Sequence, residues 1–503
     1  MKLSRTRAAT FAAAITAIAT AGITAGATTA SAEPTDSLKL RREVSPAKIF
    51  NHLQALQGIA DANGGTRASG TPGYEASGRY VEKRLKRAGY KTERQYFPFT
   101  YTEILGETVH VNSPNARDID NHVMTASPST PEGGVTADLV TPGNFGCDAA
   151  DYDGVDAAGK IALISRGSCT FAQKSQVAAG ADAAAAIIYN NAEGELNGTL
   201  GDNPQDVVPT TGITQADGQA LAAEAENGPV NLTVDLRTLV EQRQTFNIVA
   251  ETKKGSSDEV VMLGSHLDSV VGGAGLNDNG SGSSTILAIA EAINSPKYKL
   301  DSKVRFAWWG AEETGLVGST HYVNSLSQAE RDKIGVYLNF DMLGSPNYQI
   351  GIYDADNSSG QNAADAVISP GSVQMAQFLA EHFDSIGQPW TDTPVSNRSD
   401  YKAFAESGIT FGGLFSGGDG TKTEQQAEMF GGTAGEHYDP NYHTERDDIS
   451  NVNRESIDIM SNAIAHTAIT LAQDPTLIPY RLTSGKQRGE GPCWVPPPVR
   501  LAN

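Results

Sequence analysis

The chain has 503 residues, of which 39% are hydrophobic and 19% are charged, a balance typical of a folded globular protein. Its length indicates more than one folded unit. The formal charge of −21 argues against nucleic acid as a partner, because phosphate backbones bind basic surfaces.

The first 32 residues differ from the rest of the chain. Lys2, Arg5 and Arg7 precede a run rich in alanine, threonine and isoleucine, which ends in small residues at Ala30 and Ala32. A basic start, an apolar middle and a small-residue cleavage site are typical of an export signal. A membrane anchor is the alternative, but the run is short and rich in threonine. We therefore expect a secreted protein, cleaved near Ala32, with no membrane partner.

The next elements are two helices and a strand. Apolar residues at helical spacing predict helices over "SPAKIFNHLQALQGIADANGG" and "GYEASGRYVEKRLKRAGY", and "TERQYFPFTYTEI" alternates as a strand does. Between residues 115 and 240, short strands alternate with alanine-rich helices, as in "GKIALISRG" and "TFAQKSQVAAGADAAAAIIYNN". This change predicts a small separate domain, inserted into a larger domain formed by residues 33–114 and 241–474.

The larger domain resumes with apolar strands, such as "EVVMLGSH", "KVRFAWWG" and "IGVYLNFDML", that alternate with helices. Strands of this kind are typical of a sheet that is buried on both faces. We expect an α/β fold with a mixed, mostly parallel central sheet and helices on both faces, plus the small α/β insert. Residues 475–503 form a tail rich in proline and glycine, which we expect to be loosely ordered.

The chain has three cysteines. Cys147 and Cys169 lie close together in the predicted insert, and an exported protein meets an oxidising environment. We favour a disulfide between them over two free buried thiols. This pairing leaves Cys493, in the tail, without a second cysteine to pair with.

Ionisable residues follow three of the predicted strands, where α/β sheets bind ligands. They are His266, Asp268, Asp278, Glu312, Glu313 and Asp341. Crowded carboxylates repel one another, and no arginine lies next to these strand ends in the sequence, so a divalent metal ion is the simplest counter-charge. Imidazole mixed with carboxylate favours zinc over magnesium or calcium. A second histidine is expected from "DPNYHTERDD", at His443.

Each of these residues alone has an ordinary explanation. A single aspartate after a strand is commonly a turn or a cap, and a lone histidine in a loop is commonly just exposed. The set is more specific, because the adjacent Glu312 and Glu313 beside "FAWWG" have no comfortable structural role.

The motifs "GSHLDSV", "GLNDNGSG", "WWGAEETGLVGS", "LNFDMLGS" and "YHTERDDISN" resemble those of the zinc aminopeptidases of the M28 family, of the secreted Streptomyces type. The similarity includes "NGGTRASGTPGYEAS" and "FGGLFSGGDG", and it spans most of residues 45–115 and 241–465. The insert resembles a protease-associated (PA) domain. In other peptidases this domain lies beside the active site and limits access by large substrates; an inert spacer is the alternative.

The resemblance implies two zinc ions per chain. His266 and Asp341 would hold one ion, Glu313 and His443 the other, and Asp278 would bridge them. It also implies a cis peptide bond between Asp278 and Asn279.

Roles for the neighbouring residues follow from the same resemblance. Glu312 would be the general base that takes a proton from a water shared by the metals, and Tyr442 would face the substrate carbonyl. Asp268 would accept a hydrogen bond from His266 and fix its tautomer. Arg398 and Phe415 would line the amine and side-chain pockets. The expected reaction is removal of amino-terminal, preferably hydrophobic, residues from peptides by a monomer.

The sequence departs from the family pattern at two places. Close relatives have cysteines on both sides of the histidine loop, where this chain has Asn441 and Arg446. Some relatives bind calcium through acids in the last helix; Asp458 matches one of these positions, but Asn462 occupies the second, which leaves calcium open.

Three other functions remain as alternatives. A glutaminyl cyclase shares the fold but uses one zinc ion, and the complete set of two-metal ligands disfavours it. A glutamate-type carboxypeptidase also combines a PA insert with a dinuclear core, but it needs a basic pocket, and little arginine lies nearby beyond Arg398. A receptor-like protein on an inactive peptidase fold would have lost ligands, whereas all five are present.

Overall fold

A computed structural model describes residues 35–201 and 204–478. The predicted signal segment, Cys493 and nearly all of the predicted tail lie outside these residues. The strands, in chain order, are β1 (Thr92–Ser113), β2 (Arg117–Ile119), β3 (Asn121–Val123), β4 (Val135–Val140), β5 (Ile161–Ser165), β6 (Ala185–Tyr189), β7 (Thr210–Ile213), β8 (Asn231–Glu251), β9 (Ser256–His266), β10 (Ser302–Trp309), β11 (Ile334–Phe340), β12 (Gly351–Tyr353), β13 (Thr391–Thr393) and β14 (Phe411–Phe415).

The helices are α1 (Thr35–Glu43), α2 (Pro46–Asp61), α3 (Pro72–Arg87), α4 (Phe171–Gly180), α5 (Gln215–Asn227), α6 (Gly282–Ile293), α7 (Val317–Ser325), α8 (Gln328–Arg331), α9 (Pro370–Ser385), α10 (Tyr401–Glu406), α11 (Glu424–Phe430) and α12 (Arg454–Gln473). A π-helical turn at Leu276–Ser281 precedes α6. Of the helices in the described ranges, none is both long enough and apolar enough to cross a bilayer.

The central sheet of the larger domain is mixed and parallel at its centre. Its strand order is β13-β12-β14-β11-β9-β10-β8, and β9 runs parallel to both β10 and β11. The sheet continues from β8 into the insert through β4, β5, β6, β7 and β3. The fold class predicted from the sequence is confirmed.

Alternate residues of the central strands pack on opposite faces of the sheet. On β9, Val261 and Leu263 join a core formed with α1, α2, α6 and α12, whereas Met262 joins a second core with residues of α7 and α10. Helices therefore cover both faces, which explains why β9 has no polar side chain from Val260 to Leu263.

A long two-stranded ribbon connects the insert to the larger domain. β1 and β8 pair antiparallel from Thr92 and Ala250 at one end to Ser113 and Asn231 at the other. At the far end, the ribbon packs into a separate apolar core with strands of the insert and α5, and α4 packs in a second cluster of the insert. Cys147 and Cys169 form a disulfide bond within the insert. The insert thus has its own core and its own covalent link.

Candidate active site

Three neighbouring strands end at one edge of the sheet, and each delivers candidate residues there. β9 ends with His266, the turn after β10 carries Glu312 and Glu313, and Asp341 follows β11 directly. Because β10 and β11 run parallel to β9, these side chains meet at one place. Their proximity is a consequence of topology, since 75 residues separate His266 from Asp341.

Asp278 lies at the centre of the cluster and faces both histidines. Its Oδ1 atom lies 3.1 Å from Nε2 of His266, and its Oδ2 atom lies 3.1 Å from Nε2 of His443. Asp341 lies 3.2 Å from the same nitrogen of His266, and Glu313 lies 2.9 Å from that of His443. The five residues form two groups of three that share Asp278.

Burial and neighbouring charges shift the pKa values of the cluster. Burial raises the pKa of Glu312 well above its ordinary value. Burial would lower the pKa of His266, but Glu312 and Asp341 outweigh it and raise this pKa well above normal. For His443, likewise, Glu313 overcomes the effect of burial, and the pKa rises to about 11. The carboxylates therefore stabilise any positive charge placed among them.

The donor atoms suit divalent metal ions. Within each group of three, the ligand atoms lie within 4.8 Å of one another. Oε1 of Glu313 is buried and has no hydrogen-bond partner among the described residues, and a cation beside it would supply the partner that this oxygen lacks. One imidazole and two carboxylates per group form a nitrogen-and-oxygen donor set that zinc accepts, whereas magnesium and calcium prefer oxygen alone.

The second ring nitrogen of His266 faces Asp268. Nδ1 of His266 lies 3.1 Å from the backbone carbonyl oxygen of Asp268 and 3.6 Å from its carboxylate. The carbonyl oxygen therefore accepts the hydrogen bond, which leaves Nε2 to face the cluster. The Asp268 carboxylate instead accepts a hydrogen bond from the backbone N–H of Glu312, at 3.4 Å.

A cavity of about 910 Å³ opens onto the cluster, and Tyr442, Arg398 and Phe415 line it. The Tyr442 ring stacks on that of His443, with 3.8 Å between the ring centroids. Burial raises the pKa of Tyr442 well above its usual value, so its hydroxyl stays protonated. Arg398 donates two hydrogen bonds of 3.0 Å to Asp419, which hold its guanidinium at the wall of the cavity.

A fully buried arginine, Arg67, lies behind the cluster, and the sequence analysis missed it. Its guanidinium donates hydrogen bonds to the backbone carbonyl oxygens of Leu267, Ala274 and Gly275. Burial lowers its pKa to about 10, so it remains charged at neutral pH. No arginine adjoins the strand ends in the sequence, but this one arrives from the segment "NGGTRASGTPGYEAS". A charged residue among glycines and small residues was the available signal.

Ser399 is a second residue that the sequence analysis missed. Its hydroxyl donates a hydrogen bond of 2.5 Å to Oδ2 of Asp341, the oxygen that faces away from His266. Asn339 donates to the Ser399 oxygen at 2.8 Å and so fixes the direction of that hydroxyl. Ser399 lies in the segment "NRSDY", of which the sequence analysis names only Arg398 as a candidate site residue.

The positions considered for calcium contact each other. Asn462 donates a hydrogen bond of 3.1 Å to Oδ1 of Asp458 and one of 2.7 Å to its backbone carbonyl oxygen. Within the part of the chain that the structure describes, the clusters with metal-ligand spacing are the two that share Asp278.

The chain is similar to known peptidases in sequence and in fold. Residues 247–468 match the model of peptidase family M28, and residues 135–221 match that of the PA domain. A probable leucine aminopeptidase 2 from Trichophyton verrucosum is 40% identical over 452 residues, which are 89% of this chain and 88% of that protein.

Two solved structures have similar folds. An aminopeptidase from Aneurinibacillus sp. strain AM-1 has a TM-score of 0.69 at 28% identity, over 90% of this chain and 98% of that one. A zinc aminopeptidase from Bacillus subtilis has a TM-score of 0.62 at 25% identity, over 87% and 98% of the two chains. The chain therefore belongs to peptidase family M28, and it is a metallo-aminopeptidase with an inserted PA domain.

Proposed function

We propose that this chain is a secreted, dinuclear zinc aminopeptidase that removes amino-terminal, preferably hydrophobic, residues from peptides. The position of Asp278 carries the proposal, because each of its carboxylate oxygens lies 3.1 Å from Nε2 of a different histidine. A carboxylate shared in this way supports two metal ions side by side. The similarity to the zinc aminopeptidase of Bacillus subtilis supports zinc as the metal.

The ligand sets follow the two groups of side chains. His266 and Asp341 would hold one ion, Glu313 and His443 the other, and Asp278 both. When bound, zinc supplies a Lewis acid that polarises a carbonyl group and lowers the pKa of water to about 7.

Glu312 belongs to neither ligand group and is available for proton transfer. Its carboxylate lies 3.9 Å from Nε2 of His266, at the edge of the cluster. Burial raises its pKa, which suits a group that takes a proton from the attacking water and then passes it to the leaving amine. Tyr442, whose hydroxyl stays protonated, donates a hydrogen bond to the developing oxyanion of the substrate.

The surroundings of the cluster support an exopeptidase that acts at free amino termini. Buried carboxylates attract the positive α-amine of a peptide, and an internal peptide bond has no such charge. Phe415 and Met342 line the cavity and give its wall an apolar part, which supports a preference for residues such as Leu, Met or Phe. The export pattern of residues 1–32 supports secretion. We expect the enzyme to act as a monomer.

Two adjacent glutamates allow a matched test of these roles. We expect Glu312→Gln to reduce kcat by about 10²- to 10⁴-fold while two zinc ions per chain remain bound, since a general base contributes about that much. Glu313→Gln should instead release zinc. Metal content by atomic emission and hydrolysis of leucine p-nitroanilide measure both variants. An unchanged rate in Glu312→Gln would contradict the assignment of the base.

Substrate choice needs a separate measurement. Aminoacyl p-nitroanilides with several side chains, each assayed with and without a chelator, should show faster cleavage for hydrophobic residues and loss of activity on metal removal. A peptide with an acetylated amino terminus should resist cleavage. Equal rates for the acetylated and free peptides would contradict an exopeptidase.

A further inference from the structure

Two loops meet at the candidate metal site, and a buried polar network joins them. The aspartate loop, residues 267–278, carries Asp278, and the histidine loop, residues 439–448, carries His443. Between them lie four buried side chains, none more than 4% exposed: Asn277, Asp439, Asp447 and Asn451. These side chains lie behind the candidate ligands and not among them.

Asp447, at the end of the histidine loop, binds the backbone of the aspartate loop at three successive residues. Its Oδ1 accepts a hydrogen bond from the N–H of Asn277 at 2.8 Å, and its Oδ2 accepts one from the N–H of Asp278 at 2.9 Å. Its backbone carbonyl oxygen accepts a third, from Leu276 at 3.0 Å. The carboxylate thus holds the very peptide unit from which the Asp278 side chain extends.

Asp439, at the start of the histidine loop, is joined to the same network. Asn277 donates a hydrogen bond of 2.6 Å to Oδ2 of Asp439. The amide of Asn451 connects both ends of the histidine loop, since its nitrogen lies 3.0 Å from Asp447 Oδ1 and 3.0 Å from Asp439 Oδ2. Asn441, at one of the positions where similar peptidases have cysteine, donates to the Asn451 oxygen at 2.7 Å.

The two loops also touch through their backbones. A side-chain carbon added at Gly273 would lie 2.5 Å from the carbonyl oxygen of Thr444, which is closer than real contacts allow. Thr444 follows His443 directly, so the aspartate loop packs against the backbone next to this ligand. Little room remains for either loop to move independently.

We propose that Asp447 is a positioning residue, which fixes the Asp278 carboxylate relative to His443 so that one carboxylate serves two metal ions. The inference rests on the proposed dinuclear function. The hydrogen bonds of Asn451 to Asp439 and Asp447 connect the two ends of the histidine loop, where similar peptidases have a pair of cysteines. Partners that orient metal ligands in this way typically contribute about 10- to 100-fold in metal affinity.

Asp447→Asn tests this role with little change in shape, because the amide retains one acceptor but presents an N–H₂ group to a backbone N–H. In the zinc-loaded full-length protein, we expect zinc affinity, measured by chelator competition, to fall about 10- to 100-fold. The kcat for leucine p-nitroanilide should fall with it and recover in part when zinc is added. Glu445→Gln, which removes an exposed charge from the same loop, should change neither quantity.

A second variant covers the case in which Asp447→Asn does not fold. Asn451→Ala removes the amide that donates a hydrogen bond to Asp447 Oδ1, so it loosens this carboxylate without replacing Asp447, and we expect a smaller loss of zinc affinity. If the variants lower the melting temperature but retain zinc as tightly as wild type, Asp447 is only structural and the inference is wrong. If wild type itself binds fewer than two zinc ions, the proposed function fails first.

Discussion

At the scale of single residues, Arg67 shows how one buried charge organises a loop. An arginine without partners is costly to bury, and so is each carboxylate of the site. Arg67 donates hydrogen bonds to three backbone carbonyl oxygens, and its charge is attracted by the nearby Asp268, Asp447 and Asp278. It therefore supports the loop between His266 and Asp278 and offsets part of the negative charge behind the ligands.

A pair of buried histidines on α9 and α12 gives a prediction about acid stability. The rings of His382 and His466 stack with centroids 4.1 Å apart. Burial lowers the pKa of His382 to about 4 and that of His466 to about 3, and Arg41 adds to both shifts. Both rings are therefore neutral in the fold, whereas in the unfolded chain they protonate near pH 6.5.

Below pH 6.5 the unfolded state binds more protons than the folded state, so stability should fall. The slope approaches about 1.4 kcal/mol per pH unit for each histidine and flattens below pH 4 for His382 and below pH 3 for His466. We expect His382→Phe, which keeps the stacked ring, to make the free energy of unfolding less dependent on pH between 6.5 and 4. Urea unfolding at pH 7.5, 6 and 5 measures this. Parallel curves for wild type and variant would contradict the shifted pKa.

At the scale of elements, the strand ends were predictable and the loops were not. Runs such as "VVMLGSH" and "KVRFAWWG" are too apolar for any place but a covered sheet, so His266 and Glu312 could be placed at its edge. β12, β13 and β14 have three, three and five residues, too few to show a period, and the sequence analysis did not identify them. His443 lies in an irregular loop, and its pairing with Glu313 was expected only from the family resemblance.

Close packing across β9 gives a prediction at this scale. Trp309 of β10 donates a hydrogen bond of 2.9 Å to the hydroxyl of Tyr337 of β11, and the two side chains meet over Gly264. A side-chain carbon at Gly264 would lie 2.3 Å from the Tyr337 oxygen and 2.7 Å from the Trp309 nitrogen. We expect Gly264→Ala to destabilise the fold by about 1–3 kcal/mol, because the core has no room to relax.

Gly272 provides the matched control for this change. It is exposed, and an added carbon there has no atom within 4 Å, so Gly272→Ala should stay within about 0.5 kcal/mol of wild type. Guanidinium unfolding followed by tryptophan fluorescence compares the two, since Trp309 itself lies at the contact. Equal stability of both variants would mean that the strands shift apart at little cost.

At the scale of the whole molecule, the short strands and alanine-rich helices between residues 115 and 240 indicated an insert. They did not indicate how the insert is attached. The two ribbon strands have 22 and 21 residues, and β8 begins inside the predicted insert and ends in the larger domain. A bulge between Ile104 and Gly106 interrupts the alternation of β1, so the sequence pattern stops short of the true strand. Helix α1, which begins just after the predicted signal, was also missed.

Separate cores in the two domains predict separate responses to loss of the disulfide. Cys147 and Cys169 are 22 residues apart and close a loop within the insert, and a loop of this size stabilises a fold by about 3 kcal/mol. The two apolar clusters of the insert include no residues of the central sheet apart from the ribbon. We therefore expect replacement of both cysteines by serine to destabilise the insert alone.

Tryptophan makes this prediction easy to check, because all four tryptophans lie outside residues 115–240. In the double serine variant, far-ultraviolet circular dichroism should show an early urea transition that tryptophan fluorescence does not follow. Hydrolysis of leucine p-nitroanilide should continue through that early transition, since the candidate ligands and the cavity belong to the larger domain. If activity and both spectroscopic signals were lost together, the ribbon would couple the two cores into one cooperative unit, and the insert would be part of the catalytic fold.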